Sequence, residues 1–210
     1  MKPRKPETSR ARRGAGAAAL FALLVLSAAG QEEDHSAHQA ALAQPAARYA
    51  VTEAGYKVPD VSLLDQAGHE ARLPEILEPS QPVALNFVFT TCTTICPVMT
   101  ATFAQARREL GEDAARVRLV SISIDPQQDR PPVLKRYADR YGAGGGWTFL
   151  TGDAADVKRV LLAFSAYSGS KMNHRPVTFL RAARSDRWTR IDGLASGKDL
   201  ASEIRARLLR

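Results

Sequence analysis

The chain has 210 residues, with 29 Lys or Arg against 22 Asp or Glu and only two cysteines. Six of the basic residues and one acidic residue fall within residues 1–30, which leaves 23 basic and 21 acidic residues, a net +2, in the remainder. That balance excludes a nucleic-acid partner, which would demand a clustered basic face, and the length beyond the leader suits one domain with a single core.

Lys2, Arg4, Lys5, Arg10, Arg12 and Arg13 precede an apolar segment over residues 17–29 that ends in Ser27-Ala28-Ala29-Gly30. A basic stretch, an apolar stretch and small residues in that order make a secretory signal. The apolar run is shorter than the roughly 20 residues that cross a bilayer comfortably. Residues 1–30 are therefore expected to be a signal peptide, with a retained membrane anchor as the alternative, and the body to be exported to the periplasmic side. General secretion is the expected route, because Gly14-Ala15 follow Arg12-Arg13 where a twin-arginine signal continues differently. Residues 31–50 are rich in Ala, Gln and acids without periodicity and are expected to be a flexible tail. Within them, Asp34-His35-Ser36-Ala37-His38 spaces two imidazoles at i, i+3. This is a loose metal motif, and the entropy of ordering a tail opposes a specific site there.

Residues 51–210 hold the folded domain. Val61-Ser62-Leu63-Leu64 and His69-Glu70-Ala71-Arg72-Leu73 flank a turn containing Gly68, a hairpin signal that leaves His69 on the polar side. Val83-Ala84-Leu85-Asn86-Phe87-Val88 reads as a strand buried on both faces. Pro97 suits the first turn of a helix that runs to Leu110, since its missing N–H costs nothing there. A strand over residues 117–124 follows, then a helix from Pro131 to Tyr141, stopped by Gly142 and Gly144-Gly145-Gly146. Trp147–Leu150 is a short strand, Asp153 can cap a helix through Phe164, residues 176–180 and 188–191 form an antiparallel pair, and a last helix spans residues 198–209. The pattern is α/β, a central sheet flanked by helices with an N-terminal hairpin, in the order of a thioredoxin-like domain.

Cys92 and Cys96 occur together, just beyond the buried strand. A structural staple closing so small a loop gains little, so the pair is expected to do redox or metal chemistry. N–H groups at a helix start favour thiolate. Thiolate serves both disulfide exchange and soft-metal binding, and a three-residue separation allows either use. Of four histidines, His174 is the one placed well enough to complete a two-sulfur, one-nitrogen site suited to copper, although a loop histidine taken alone is more often a surface or hydrogen-bonded residue. Zinc would normally need a fourth donor. Met99 and Met172 are soft donors near the site in sequence, for which core filling is the default role.

These residues resemble the Sco (SenC) family of copper-delivery proteins for cytochrome c oxidase, which are thioredoxin-like. The resemblance covers roughly residues 55–205. It rests on Phe89-Thr90-x-Cys92-x-x-x-Cys96-Pro97, on residues 121–131 with Asp125-Pro126 and Asp129, and on His174 ahead of Phe179-Leu180. It implies that Cys92, Cys96 and His174 bind Cu(I) or Cu(II). It also implies delivery to the binuclear copper centre of an oxidase subunit, or dealings with other exported copper or thiol-redox proteins, with membrane attachment possible through the N-terminus. It places Asp125 near the site and Asp129 as a cap of the following helix, and turn and cap chemistry accounts for both. The chain departs from the family in having Thr93-Thr94-Ile95 where many members have Pro-Asp-Val, and Asn173 where Asp often precedes the histidine. The alternative function is a thiol–disulfide oxidoreductase in which Cys92 and Cys96 are the catalytic pair. A peroxide-reducing relative would need Arg175 with Thr90 or Thr91 beside the thiol.

Overall fold

The computed structural model describes residues 49–78 and 80–209. The expected signal or anchor segment and residues 31–48 of the expected tail, with His35 and His38, lie outside the described residues, whereas Tyr49 and Ala50, assigned to that tail from the sequence, open a strand instead. In chain order the elements are β1 (Tyr49–Gly55), β2 (Ser62–Asp65), β3 (Glu70–Arg72), α1 (Leu73–Ile76), β4 (Val83–Val88), α2 (Ile95–Leu110), β5 (Arg118–Ser123), α3 (Pro131–Arg140), β6 (Trp147–Thr151), α4 (Ala154–Ala163), β7 (Val177–Arg181), β8 (Arg187–Gly193) and α5 (Gly197–Leu208). Short 3-10 turns occupy Gly111–Arg116 and Lys171–Asn173.

The strands form one mixed sheet in the order β1-β8-β7-β4-β5-β6-β2-β3. β4 is parallel to β5 and antiparallel to β7, so it is central and all six of its residues are buried. Successive side chains of a strand face opposite sides. Leu85 and Phe87 accordingly join one core with Phe164, Phe179, Trp188 and the inner face of α4. Ala84 joins the other with Phe103 of α2, Tyr137 of α3 and Ile204 of α5. Asn86 interrupts the apolar run, has no exposed surface, and lies in register with Ser121 and Thr178.

The expected hairpin is β2–β3, in register Ser62↔Arg72, and it joins the sheet through β6. His69 is exposed, as expected. α2 begins at Ile95, which puts Pro97 at its third position, still within the turn whose N–H groups have no helical partner. Asp153 precedes α4, but its side chain makes no cap bond. α5 does carry a full capping box, with Ser196 and Asp199 each bonding the other's backbone N–H. β1, for which the sequence offers no strand signal, pairs antiparallel with β8 as an edge strand. Its residues are only half-buried or exposed, with Thr52 and Glu53 both exposed, so the apolar periodicity that marks a strand is weak. Among the described residues no helix is long and apolar enough to cross a membrane.

Candidate metal centre

The loop between β4 and α2 places Cys92 just ahead of the helix and Cys96 as its second residue. Both are free thiols, Cys92 half-buried and Cys96 fully buried. The Cys96 N–H donates to Cys92 Sγ at 3.5 Å, and Thr94 Oγ1 lies 3.6 Å from the same sulfur. Burial pushes the Cys92 thiol up, but the N–H groups of Cys96 and Thr94 and the Thr94 hydroxyl outweigh it and bring it down to about 7. Cys96 packs with Val88 and Phe89. Burial drives it up, bonding from the Phe89 backbone opposes this, and the neighbouring Cys92 and Asp129 add to the rise, which reaches about 12. One pair thus contains a half-buried thiol ionised near neutrality and a fully buried one that holds its proton.

His174 follows the 3-10 turn at Lys171–Asn173 and is only 7% exposed. Its Nε2 lies 2.9 Å from the carbonyl oxygen of Phe87, the residue two positions before Phe89 at the base of the cysteine loop. A carbonyl can only accept, so Nε2 carries the proton and Nδ1 keeps its lone pair. Burial lowers the imidazole pKa, with the Phe87 bond opposing. The ring is therefore neutral at pH 7, the form a metal requires.

A cavity of about 290 Å³ is bordered by Cys92, Thr94, Phe89, Lys171, Met172 and His174, among others. It brings the cysteine loop and the histidine segment face to face. Cys96 lies beneath rather than on the wall. Among the described residues no group of three His, Cys, Asp or Glu side chains stands at metal-holding spacing. The donor types suit a soft or borderline ion: a thiolate, a second thiol able to lose its proton, and a neutral imidazole with a bare nitrogen.

Two carboxylates support this arrangement in ways that their sequence positions do not disclose. Asp129 does not cap α3, whose start has no side-chain cap. Fully buried instead, it accepts the Thr90 N–H at 3.1 Å, the Thr90 hydroxyl at 2.5 Å and the Ser123 hydroxyl at 2.6 Å. Asp125, also buried, pairs with the Lys171 ammonium and so ties the β5–α3 loop to the turn before His174. The donor spacing in Thr90-x-Cys92 is a signal for the first clamp only in hindsight, since its partner is 39 residues away. Met99 is buried as expected, but Met172 is 78% exposed on the cavity rim, which corrects the core-filling expectation. Arg175 lines a separate cavity with Tyr167 and Arg190, and the Thr90 hydroxyl is committed to Asp129. Thr91 does line the Cys92 cavity, but Arg175 is not among the residues that border it.

The family model described as SCO1/SenC matches residues 50–209. The SCO1 protein homolog of Bacillus subtilis (strain 168) is 43% identical over 68 residues, 32% of this chain and 35% of that protein. The matched stretch thus spans about a third of the length of the curated relatives. The solved structure of BsSco, described as having a disulfide switch and as a member of the Sco family of cytochrome c oxidase assembly proteins, superposes with a TM-score of 0.62 at 26% identity. It covers 74% of this chain and 95% of its own. ScoI of Bradyrhizobium japonicum with copper bound gives 0.59 at 22% identity over 74% of this chain and 98% of its own. These structures share the thioredoxin-like fold described above. Because the family match takes in both cysteines, the buried aspartates and His174, the chain belongs to the SCO1/SenC family.

Proposed function

We propose that this protein is a copper carrier, binding the ion through Cys92, Cys96 and His174 and delivering it to the binuclear copper centre of a cytochrome c oxidase subunit. The carrying observation is the shared cavity wall of Cys92 and His174, with the imidazole held neutral and Nδ1 left bare by the Phe87 carbonyl. Sulfur and imidazole donors suit Cu(I), and imidazole also suits Cu(II). Cys96, hydrogen-bonded through its N–H to the Cys92 sulfur, is the second thiolate, brought in by a local shift of the loop. Oxidation of the pair to a disulfide removes two donors and abolishes the site. The copper-bound state of relatives such as the Bradyrhizobium ScoI supports this reading. The basic and apolar leader supports an exported, periplasmic location, soluble or anchored through the N-terminus.

The test is anaerobic Cu(I) titration of the reduced protein, followed by transfer to a soluble oxidase copper domain. The wild type takes up one equivalent, the disulfide form none, and H174A loses at least about tenfold in affinity, the lower end of what even an outer-shell partner is worth. Unchanged affinity in H174A overturns the three-donor site.

A second reading is favoured by the split between the two thiols. An accessible thiol near 7 above a buried one near 12 is the arrangement of an attacking and a resolving cysteine in disulfide exchange. A reductase of exported thiols uses the same atoms without the imidazole, so H174A retains that activity while C92S abolishes it.

A further inference from the structure

Met172 is the most exposed large hydrophobic side chain among the described residues. It is also held in place. Ser170 Oγ accepts its N–H at 3.3 Å, the Asn173 N–H returns to the Ser170 carbonyl at 3.0 Å, and the His174 N–H to that of Lys171 at 3.2 Å. The adjacent Lys171 is anchored on Asp125. A fixed turn thus presents a thioether to water at the rim of the cavity shared by Cys92 and His174. Left unburied, that side chain forgoes the stabilisation that apolar burial gives. What it offers in water is a soft, uncharged sulfur that carries no proton to be displaced.

We infer that Met172 is the entry donor of the site, a transient Cu(I) ligand that takes the ion from an incoming complex and passes it to Cys92 and His174. The inference rests on the copper-carrier reading. In the exchange, a bond from Met172 Sδ to Cu(I) forms as one bond to the delivering ligand breaks. The Cys92 thiolate and His174 Nδ1 then replace the remaining ligands and the thioether. Cys96 joins as its proton passes to buffer. Copper remains Cu(I) throughout, so no oxidant or reductant takes part.

The experiment is stopped-flow transfer of Cu(I) from a water-soluble small-molecule chelator to the reduced protein, wild type against M172L. Leucine keeps size and apolarity but removes the sulfur. The transfer rate is expected to fall about tenfold while equilibrium affinity stays within about threefold, because a labile thioether assists exchange without belonging to the final donor set. Equal rates overturn the inference, and they also arise if Met172 is only an apolar contact for a protein partner, which a small chelator does not sense. Independently, methionine-methyl NMR of a C92S/C96S variant titrated with Ag(I), a redox-inert substitute for Cu(I), should shift the Met172 methyl and leave the buried Met99 methyl in place. No shift at Met172 overturns the inference. If the wild type takes up no Cu(I), the carrier reading fails, and the silver titration still decides whether Met172 is a donor.

Discussion

The carboxylate of Asp129, wholly buried, accepts both the N–H and the hydroxyl of Thr90, two residues before Cys92. Through Ser123 the same carboxylate reaches the end of β5, so the cysteine loop is fastened to the neighbouring parallel strand. D129A strands these donors in the interior and should destabilise the fold by about 3 kcal/mol, the range for unsatisfied buried partners of a charged acceptor. Denaturant unfolding checks this. D129N keeps one acceptor and should cost less.

Thiol modification should separate the two cysteines. In C96S, alkylation of Cys92 should reach half its maximal rate near pH 7, following its thiolate. In C92S, Cys96 should stay unmodified at pH 8 until the protein is unfolded. A Cys92 midpoint near 9 would mean that the Cys96 and Thr94 donors do not act on the sulfur.

The same shifts set the pH dependence of stability. Between about pH 7 and 9 the folded protein holds Cys92 ionised while the unfolded chain holds it protonated, so this contribution grows as pH rises and is lost on descending through 7. Above 9 the sign reverses for Cys96: the unfolded chain ionises while the folded one keeps its proton up to about 12, and stability falls. C96S should remove the loss that sets in just above pH 9 in urea unfolding, leaving the further loss above about pH 10 that comes from Tyr137, whose phenol burial also pushes up.

Copper uptake should release protons in a diagnostic number. At pH 7 Cys92 is half protonated, Cys96 wholly so and His174 neutral, so binding by both sulfurs liberates about 1.5 protons, falling to about one at pH 8.5. Calorimetry in buffers of differing ionisation enthalpy gives the count. A value of about 0.5 at pH 7 would mean that Cys96 keeps its proton and is not a ligand.

Gly197, the first residue of α5, sits against α2. A Cβ there would fall 2.5 Å from Cβ of Gln105, an atom fixed to the α2 backbone. G197A should push the two helices apart and cost about 2 kcal/mol, as overpacking does, with a matching drop in melting temperature and no change in Cys92 reactivity at pH 7.

Much of the centre is legible in the sequence because short stretches carry it. The short, mostly apolar run from Val83 to Val88 reads as a buried strand, Pro97 signals the helix start, and a cysteine pair between them falls at a helix N-terminus. The parts that escape depend on distant partners. Asp129 resembles a helix cap until the fold brings Thr90 to it, and the tautomer of His174 is set by a backbone carbonyl 87 positions away. β1 escapes because a half-buried edge strand carrying Thr52 and Glu53 has no apolar period to detect. Met172 misleads by type: an apolar side chain implies a core, whereas the direction of a short turn puts it in solvent.

The register of β1 gives the molecule a polarity. β7 runs antiparallel to both β4 and β8, so Val88 and Gly193 finish at the same end of the sheet, and Tyr49 pairs with Gly193. α5 departs from that end after Ser196 and runs back until Arg205 meets the Glu109 carbonyl near the close of α2. The polypeptide thus enters its folded body on the side where the thiols sit and leaves it on the far side. Grafting the folded body to a solid support at Tyr49 would turn the thiols toward the support, whereas grafting it at Leu208 would leave them facing the bulk.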